Sequence, residues 1–156
     1  MRKFYVIALA IAVLVFVPRV NARNISAEAV SDAIQLALPT EFGYVDSTDY
    51  LMRHEFSSLC GIFDSHIVVC ADSANFNEFG VFFVKNTTDI KPCIKQLGEY
   101  LSNRKTQFQS GVVYNPSEYP KFEGAKVFSV GQVIIYTILD TSQGAIAEKT
   151  VKKMLK

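Results

Sequence analysis

The chain has 156 residues, with 16 basic and 15 acidic side chains and a formal net charge of +1, a balance that argues against nucleic acid as a partner. Twelve phenylalanines and seven tyrosines, with no tryptophan, supply the bulk for one hydrophobic core. Three cysteines are an odd set, so at most one intramolecular disulfide forms. Proximity points to Cys60–Cys70; otherwise all three serve as small buried apolar groups.

The chain opens like an export signal. Arg2 and Lys3 precede an unbroken apolar run over residues 4–17, Pro18 breaks it, and Val20-Asn21-Ala22 offers small residues for cleavage. The run is shorter than the roughly 17–25 residues that span a bilayer. The expected organisation is a signal peptide over 1–22 and a single α+β domain over 23–156, exported and either secreted or associated with the cell envelope. After cleavage no stable membrane insertion is expected. Removing Arg2, Lys3 and Arg19 leaves 13 basic against 15 acidic residues, a net charge of −2. That balance again argues against nucleic acid, and against a polybasic membrane anchor. No cysteine stands at the end of the signal to take a lipid.

Ser26 is a fair N-cap, and Val30, Ala33, Ile34 and Ala37 recur at helical spacing until Pro39 ends the helix. Residues 40–63 are rich in acids and small polar groups. They leave room for a short helix over about 50–59, closed by Gly61. His66-Ile67-Val68-Val69-Cys70-Ala71 and Glu78-Phe79-Gly80-Val81-Phe82-Phe83-Val84 read as two strands, with turn chemistry at Asp72-Ser73-Ala74-Asn75 between them. Thr88 or Asp89 then caps a long helix with Pro92 in its first turn. Its expected buried stripe is Ile90, Ile94, Leu97, Leu101 and Phe108, and it stops near Gly111.

A connector rich in tyrosine and proline, residues 114–120, has space for one helical turn. Lys126-Val127-Phe128-Ser129-Val130, then Gly131-Gln132, then residues 133–139 make a second hairpin. Residues 140–142 cap a last helix with Ile146, Thr150, Val151, Met154 and Leu155 on its apolar side. Lys149, Lys152, Lys153 and Lys156 near its end read as solvated partners of the helix dipole. The expected fold is therefore α+β: an antiparallel sheet from two hairpins, about 66–84 and 125–139, with three main helices packed on it. Both alternating faces of 79–84 and 133–139 are apolar, so both faces of the sheet must be covered, most simply by the chain's own helices.

Taken together, Glu78-Phe79-Gly80-Val81-Phe82, the long helix, Tyr114-Asn115-Pro116-Ser117-Glu118, then Val127, Gly131, Val133 and Asp140 resemble an uncharacterised family of small exported proteins and lipoproteins of Gram-positive bacteria, a domain of unknown function. The similarity covers about residues 26–155. It implies a bacterial envelope protein and transfers no activity and no site residue. Many family members carry a lipobox cysteine, which this chain lacks. In a bacterial host the sequons Asn24-Ile25-Ser26 and Asn86-Thr87-Thr88 would go unused; in a eukaryotic secretory pathway they would accept glycans.

Reactive side chains gather in one stretch: His54, Cys60, Asp64, His66, Cys70 and Asp72. Gaps of six, six and four residues lack the close pairing of a zinc site, and neither a metal nor a cofactor is expected. A thiol nucleophile, Cys60 or Cys70 activated by His54 or His66, is the enzymatic alternative; an even separation puts His66 and Cys70 on one strand face. No nucleophile elbow, phosphate loop, dinucleotide fingerprint or metalloprotease motif occurs. The leading expectation is an exported binding or interaction module for an envelope or extracellular ligand, with a homo-oligomer left open. Its recognition surface is placed on a loop over 44–50 and the connector over 114–119, with Tyr44, Tyr50, Tyr114 and Tyr119 as contact residues.

Overall fold

The computed structural model of the chain describes residues 25–39, 43–72, 75–110 and 115–156. The export segment, Ala22 with its cleavage site, Glu41 and Tyr114 lie outside the described residues. Helix α1 (Ala27–Ala37) starts at Ser26, whose hydroxyl accepts from the Ala29 amide at 3.3 Å. Strand β1 (Tyr44–Asp46) runs into α2 (Thr48–His54). A single 3₁₀ turn, Ser57–Leu59, leads to β2 (Phe63–Ala71) and β3 (Glu78–Val84). The long helix α3 (Ile90–Gln109) follows. The connector folds into a 3₁₀ turn, Pro116–Glu118, and the short α4 (Tyr119–Glu123). Then come β4 (Lys126–Val130), β5 (Val133–Ile138) and α5 (Thr141–Met154).

All five strands join one antiparallel sheet in the order β1-β2-β3-β5-β4. The two expected hairpins are present, and β3 pairs with β5 to join them. In the second, Gly131 and Gln132 form a two-residue loop, and Gly131 supplies the positive φ (+59°) that such a tight turn needs. β2, β3 and β5 are interior strands; the side chains of β3 and β5 are enclosed on both faces almost throughout, those of β2 only in part.

Helices cover each face. On one, Val69, Phe79, Val81, Val133 and Ile135 pack with Val30 and Ile34 of α1 and Ala147 and Val151 of α5. On the other, Val68, Phe82, Ile134 and Tyr136 pack with Leu51 and Met52 of α2, Phe56, and Leu97 and Tyr100 of α3. A smaller cluster of Phe108, Phe122 and Ile138 closes the end beside α4. The cover that the two-faced apolar strands demanded thus comes from within the chain; Val133, Ile135, Tyr136, Ile138 and Leu139 are all buried. No helix among the described residues is long and apolar enough to cross a membrane.

Several local expectations need correction. Residues 44–50 are not a loop. They are an edge strand and the first turn of α2, because β2 offers its outer edge: Tyr44, Val45 and Asp46 pair with Ala71, Cys70 and Val69. The pairing continues through side chains and backbone, with the Ser47 amide donating to the Val68 carbonyl and the Val68 amide to Thr48 Oγ1, each at 2.8 Å. The helix placed at 50–59 starts earlier, at Thr48, whose amide Asp46 caps at 2.8 Å, and breaks before the 3₁₀ turn. Along α3 the buried stripe is Cys93, Leu97, Tyr100 and Phe108, while Ile90, Ile94 and Leu101 are only partly covered. Cys60 is exposed, Cys70 half-buried and Cys93 buried, and none is bridged.

Candidate functional site: a buried carboxylate beneath a polar cavity

Alternation along β3 puts Glu78, Gly80, Phe82 and Val84 on the face under α2 and α3. Glu78 therefore points inward, 3% exposed, with Cys70 of β2 and Ile138 of β5 as its neighbours across the sheet. A buried carboxylate costs several kcal/mol of lost hydration unless its oxygens find partners. Two phenols provide them: Tyr136 of β5 donates to Glu78 Oε1 at 2.6 Å and Tyr100 of α3 donates to the same oxygen at 2.7 Å. One helical turn beyond Tyr100, Arg104 brings Nη2 to 3.5 Å from Oε2. This is why α3 turns Tyr100, with its polar tip, into the interior.

Gly80 makes the arrangement possible. It lies directly opposite Tyr136, and a Cβ there would stand 2.5 Å from the Tyr136 ring and 2.7 Å from the Phe82 ring. Without it the tyrosine ring lies across the strand and delivers its hydroxyl to Glu78, two residues along. Phe56 holds the rings from above, edge-on to Tyr100 at 4.8 Å and to Tyr136 at 6.0 Å between centroids. Burial first, and the Glu78 charge second, push both phenols above the ordinary tyrosine range, so both remain donors.

Above this cluster lies a cavity of about 470 Å³. Its floor is Cys70 and Glu78. One wall comes from α3 through Tyr100, Arg104 and Gln107; the other from Ser47, from Tyr50 and Leu51 of α2, and from Glu55 just past its end. A second hollow, about 460 Å³, runs along Lys149, Lys152, Lys153 and Lys156; the described residues that line it all belong to α5 or its end and none is buried. The chemistry is therefore concentrated in the first.

Of the residues singled out in the sequence, the structure brings Cys70 and Tyr50 to this cavity. Burial first, then the nearby Glu78 charge, push the Cys70 thiol up to about 11, away from the thiolate a nucleophile needs. His66 does share the strand face of Cys70. Four residues of strand separate them by about 13 Å, at roughly 3.3 Å per residue. Its ring packs near Phe63, at 5.5 Å, and Phe82. His54 ends α2 with its ring 4.6 Å from Tyr50, and Cys60 is exposed after the 3₁₀ turn. No hydrogen bond joins either imidazole to a thiol among the described residues. Tyr44 lies under the opposite face, edge-on to Phe79 at 5.5 Å. Tyr119 stacks near Phe108, with Lys105 Nζ 5.5 Å from its ring centre. Among the described residues no group of three His, Cys, Asp or Glu side chains gathers to hold a metal.

Tyr100, Tyr136, Arg104 and Gly80 were not foreseen as site residues, nor was Glu78 as their centre. A signal was there: an acid at an inward position of a Phe/Val strand, a tyrosine inside an Ile-rich strand, and Tyr and Arg four residues apart on a helix. The fold and the site together define an α+β protein with an antiparallel sheet covered on both faces and a polar cavity over a buried Glu–Tyr–Tyr–Arg cluster. Comparison with protein-family models, curated proteins and solved structures finds no match.

Proposed function

We propose that this chain is an exported binding module of the bacterial envelope, and that its ligand enters the cavity above Glu78. The observation that carries the reading is the buried carboxylate itself, held by two phenols on one oxygen, contacted by Arg104 on the other, and lining a cavity. A group so costly to bury, beneath a cavity within the usual ligand range of about 300–1,000 Å³, is a functional-site signature. Export rests on the Arg2-Lys3 start, the apolar run and Val20-Asn21-Ala22. The bacterial envelope rests on the resemblance in residues 26–155 described above.

The thiol-enzyme alternative has less support. Burial pushes the Cys70 thiol up to about 11, His66 stands too far along the strand, and among the described residues no hydrogen bond joins the exposed Cys60 to an imidazole. Of the tyrosines first considered for recognition, Tyr50 at the cavity rim retains that role, while Tyr44 and Tyr119 pack elsewhere.

Titration of the ¹⁵N-labelled protein with a library of small polar molecules tests the reading. Saturable amide shifts are expected at Leu51, Cys70, Glu78 and Gln107, and are expected to vanish in Arg104→Ala. Shifts that cluster along α5 or around Tyr119 instead would move the binding site away from the cavity.

A further inference from the structure

The unused hydrogen-bonding capacity around Glu78 narrows the ligand class, given the cavity reading above. Glu78 Oε1 is filled: a carboxylate oxygen has about two acceptor sites, and two short phenolic donors occupy them. Oε2 is different. The contact it receives from Arg104 Nη2 is 3.5 Å long, at the limit of a hydrogen bond. Arg104 is likewise underused. It carries five N–H donors, and its Nε is buried with no acceptor among the described residues. An acceptor with spare capacity, Oε2, and a buried donor without a partner, Arg104 Nε, thus belong to neighbouring residues that line the cavity.

The charges around them exclude most partners. A carboxylate ligand would satisfy Arg104 but bring its own charge against Glu78, and Glu55 lines the same cavity. An ammonium ligand would satisfy Oε2 and be repelled by Arg104. In both cases one buried group stays unpaired, which is the expensive outcome. A neutral group that offers an acceptor and a donor on adjacent atoms meets both at once. We propose that the cavity binds a small molecule through a primary carboxamide, its carbonyl accepting from Arg104 and its N–H donating to Glu78 Oε2. The Tyr50 ring at the rim and Leu51 beside it give an apolar body a surface to lie on.

Three probes with one phenyl body and different head groups decide the matter: benzamide, benzoate and benzylammonium, each titrated into the ¹⁵N-labelled protein. Benzamide is expected to give saturable shifts at Cys70, Glu78 and Gln107. The other two are expected to bind about tenfold more weakly or not at all, because each leaves a buried partner unpaired. Arg104→Lys keeps the positive charge beside Glu78 but removes Nε and the planar fork. It should leave the spectrum dispersed and weaken benzamide about tenfold. If benzoate or benzylammonium shifted the same residues more tightly than benzamide, the carboxamide proposal would be wrong and the cavity reading would stand. If none of the three perturbed these residues, both would fall. Undiminished benzamide binding in folded Arg104→Lys would also overturn the assignment.

Discussion

Against α1 and α5 the sheet presents Val69, Phe79, Val81, Val133 and Ile135; against α2 and α3 it presents Val68, Phe82 and Ile134, but also Glu78 and Tyr136. Both faces are covered by helices, yet only the second keeps a buried acid, beneath a cavity. The first face holds the fold with apolar packing and small hydroxyl residues, Ser31, Ser65 and Thr137, so an acid is not needed for a stable layer of this sheet. In the binding reading proposed above, Glu78 costs stability that the α1/α5 side avoids, and ligand access is the compensating gain. Polar groups retained in a core beside a cavity are the usual mark of a site rather than of a scaffold.

The largest effects should be common to both faces. Ile135→Ala, under α1 and α5, and Ile134→Ala, under α2 and α3, are each expected to lose about 2–5 kcal/mol in denaturant unfolding. A much smaller loss at Ile134 would mean that the α2/α3 layer is loosely packed, and the comparison would have to be redrawn.

The next effect belongs to one face only. Gly80→Ala puts a methyl group into the Tyr136 ring and should cost about 1–3 kcal/mol, the range for overpacking. Tyr136→Phe removes one of the two donors to Glu78 Oε1 and should also cost about 1–3 kcal/mol. Because Gly80 acts by placing that hydroxyl, the double variant should lose less than the two single losses combined. Strict additivity would show that Gly80 serves packing alone.

Asp140 offers a control remote from both. It caps α5, accepting from the Gln143 amide at 2.9 Å and from Ser142 Oγ at 2.7 Å. Burial works to raise its pKa, but these hydrogen bonds outweigh it and hold the group below its ordinary 3.8. A depressed folded pKa gives stability that is present above the unfolded value and lost as pH falls through the folded one. Asp140→Ala should cost about 1 kcal/mol at pH 7, and the cost should shrink as pH falls from 3.8 through the lower folded value, read from melts over that acid range.

The smallest change near neutrality separates the thiols. Burial, with the Glu78 charge second, pushes Cys70 up to about 11, and burial, with Asp89 second, pushes Cys93 up to about 12, from an ordinary 9.0. Raised folded values mean that the unfolded chain loses protons first. Stability is then full below pH 9 and declines as pH rises through the folded values. Alkylation at pH 7.5 should label Cys60 well ahead of Cys70 and Cys93. Rapid labelling of Cys70 at that pH, abolished in His66→Ala, would restore the thiol-enzyme alternative.

Local patterns carried much of this architecture. The apolar runs of β3 and β5, the turn at Gly131 and the caps at Ser26 and Asp140 are written within a few residues of one another and are legible there; the α3 stripe was legible only in part, since Cys93 and Tyr100 are buried where Ile90, Ile94 and Leu101 were expected. β1 was not, because three residues carry no period; the free edge of β2 decides that Tyr44-Val45-Asp46 is a strand. The α2 boundary was missed for the same reason, since Thr48 is recruited by Val68 twenty residues away.

By itself, the chain of residues determined that a two-faced antiparallel sheet forms and that helices must cover both sides, because alternation and helical period act over short distances. It also carried the export pattern in residues 1–22. Only the tertiary structure decided where the chemistry lies. Glu78, Tyr100, Arg104 and Tyr136 are spread over nearly sixty positions of sequence. They meet because β3–β5 pairing sets Tyr136 across Gly80 while α3 crosses above with Tyr100 and Arg104 on one side. No local pattern encodes that meeting, since the partners of a buried carboxylate are chosen by packing in three dimensions.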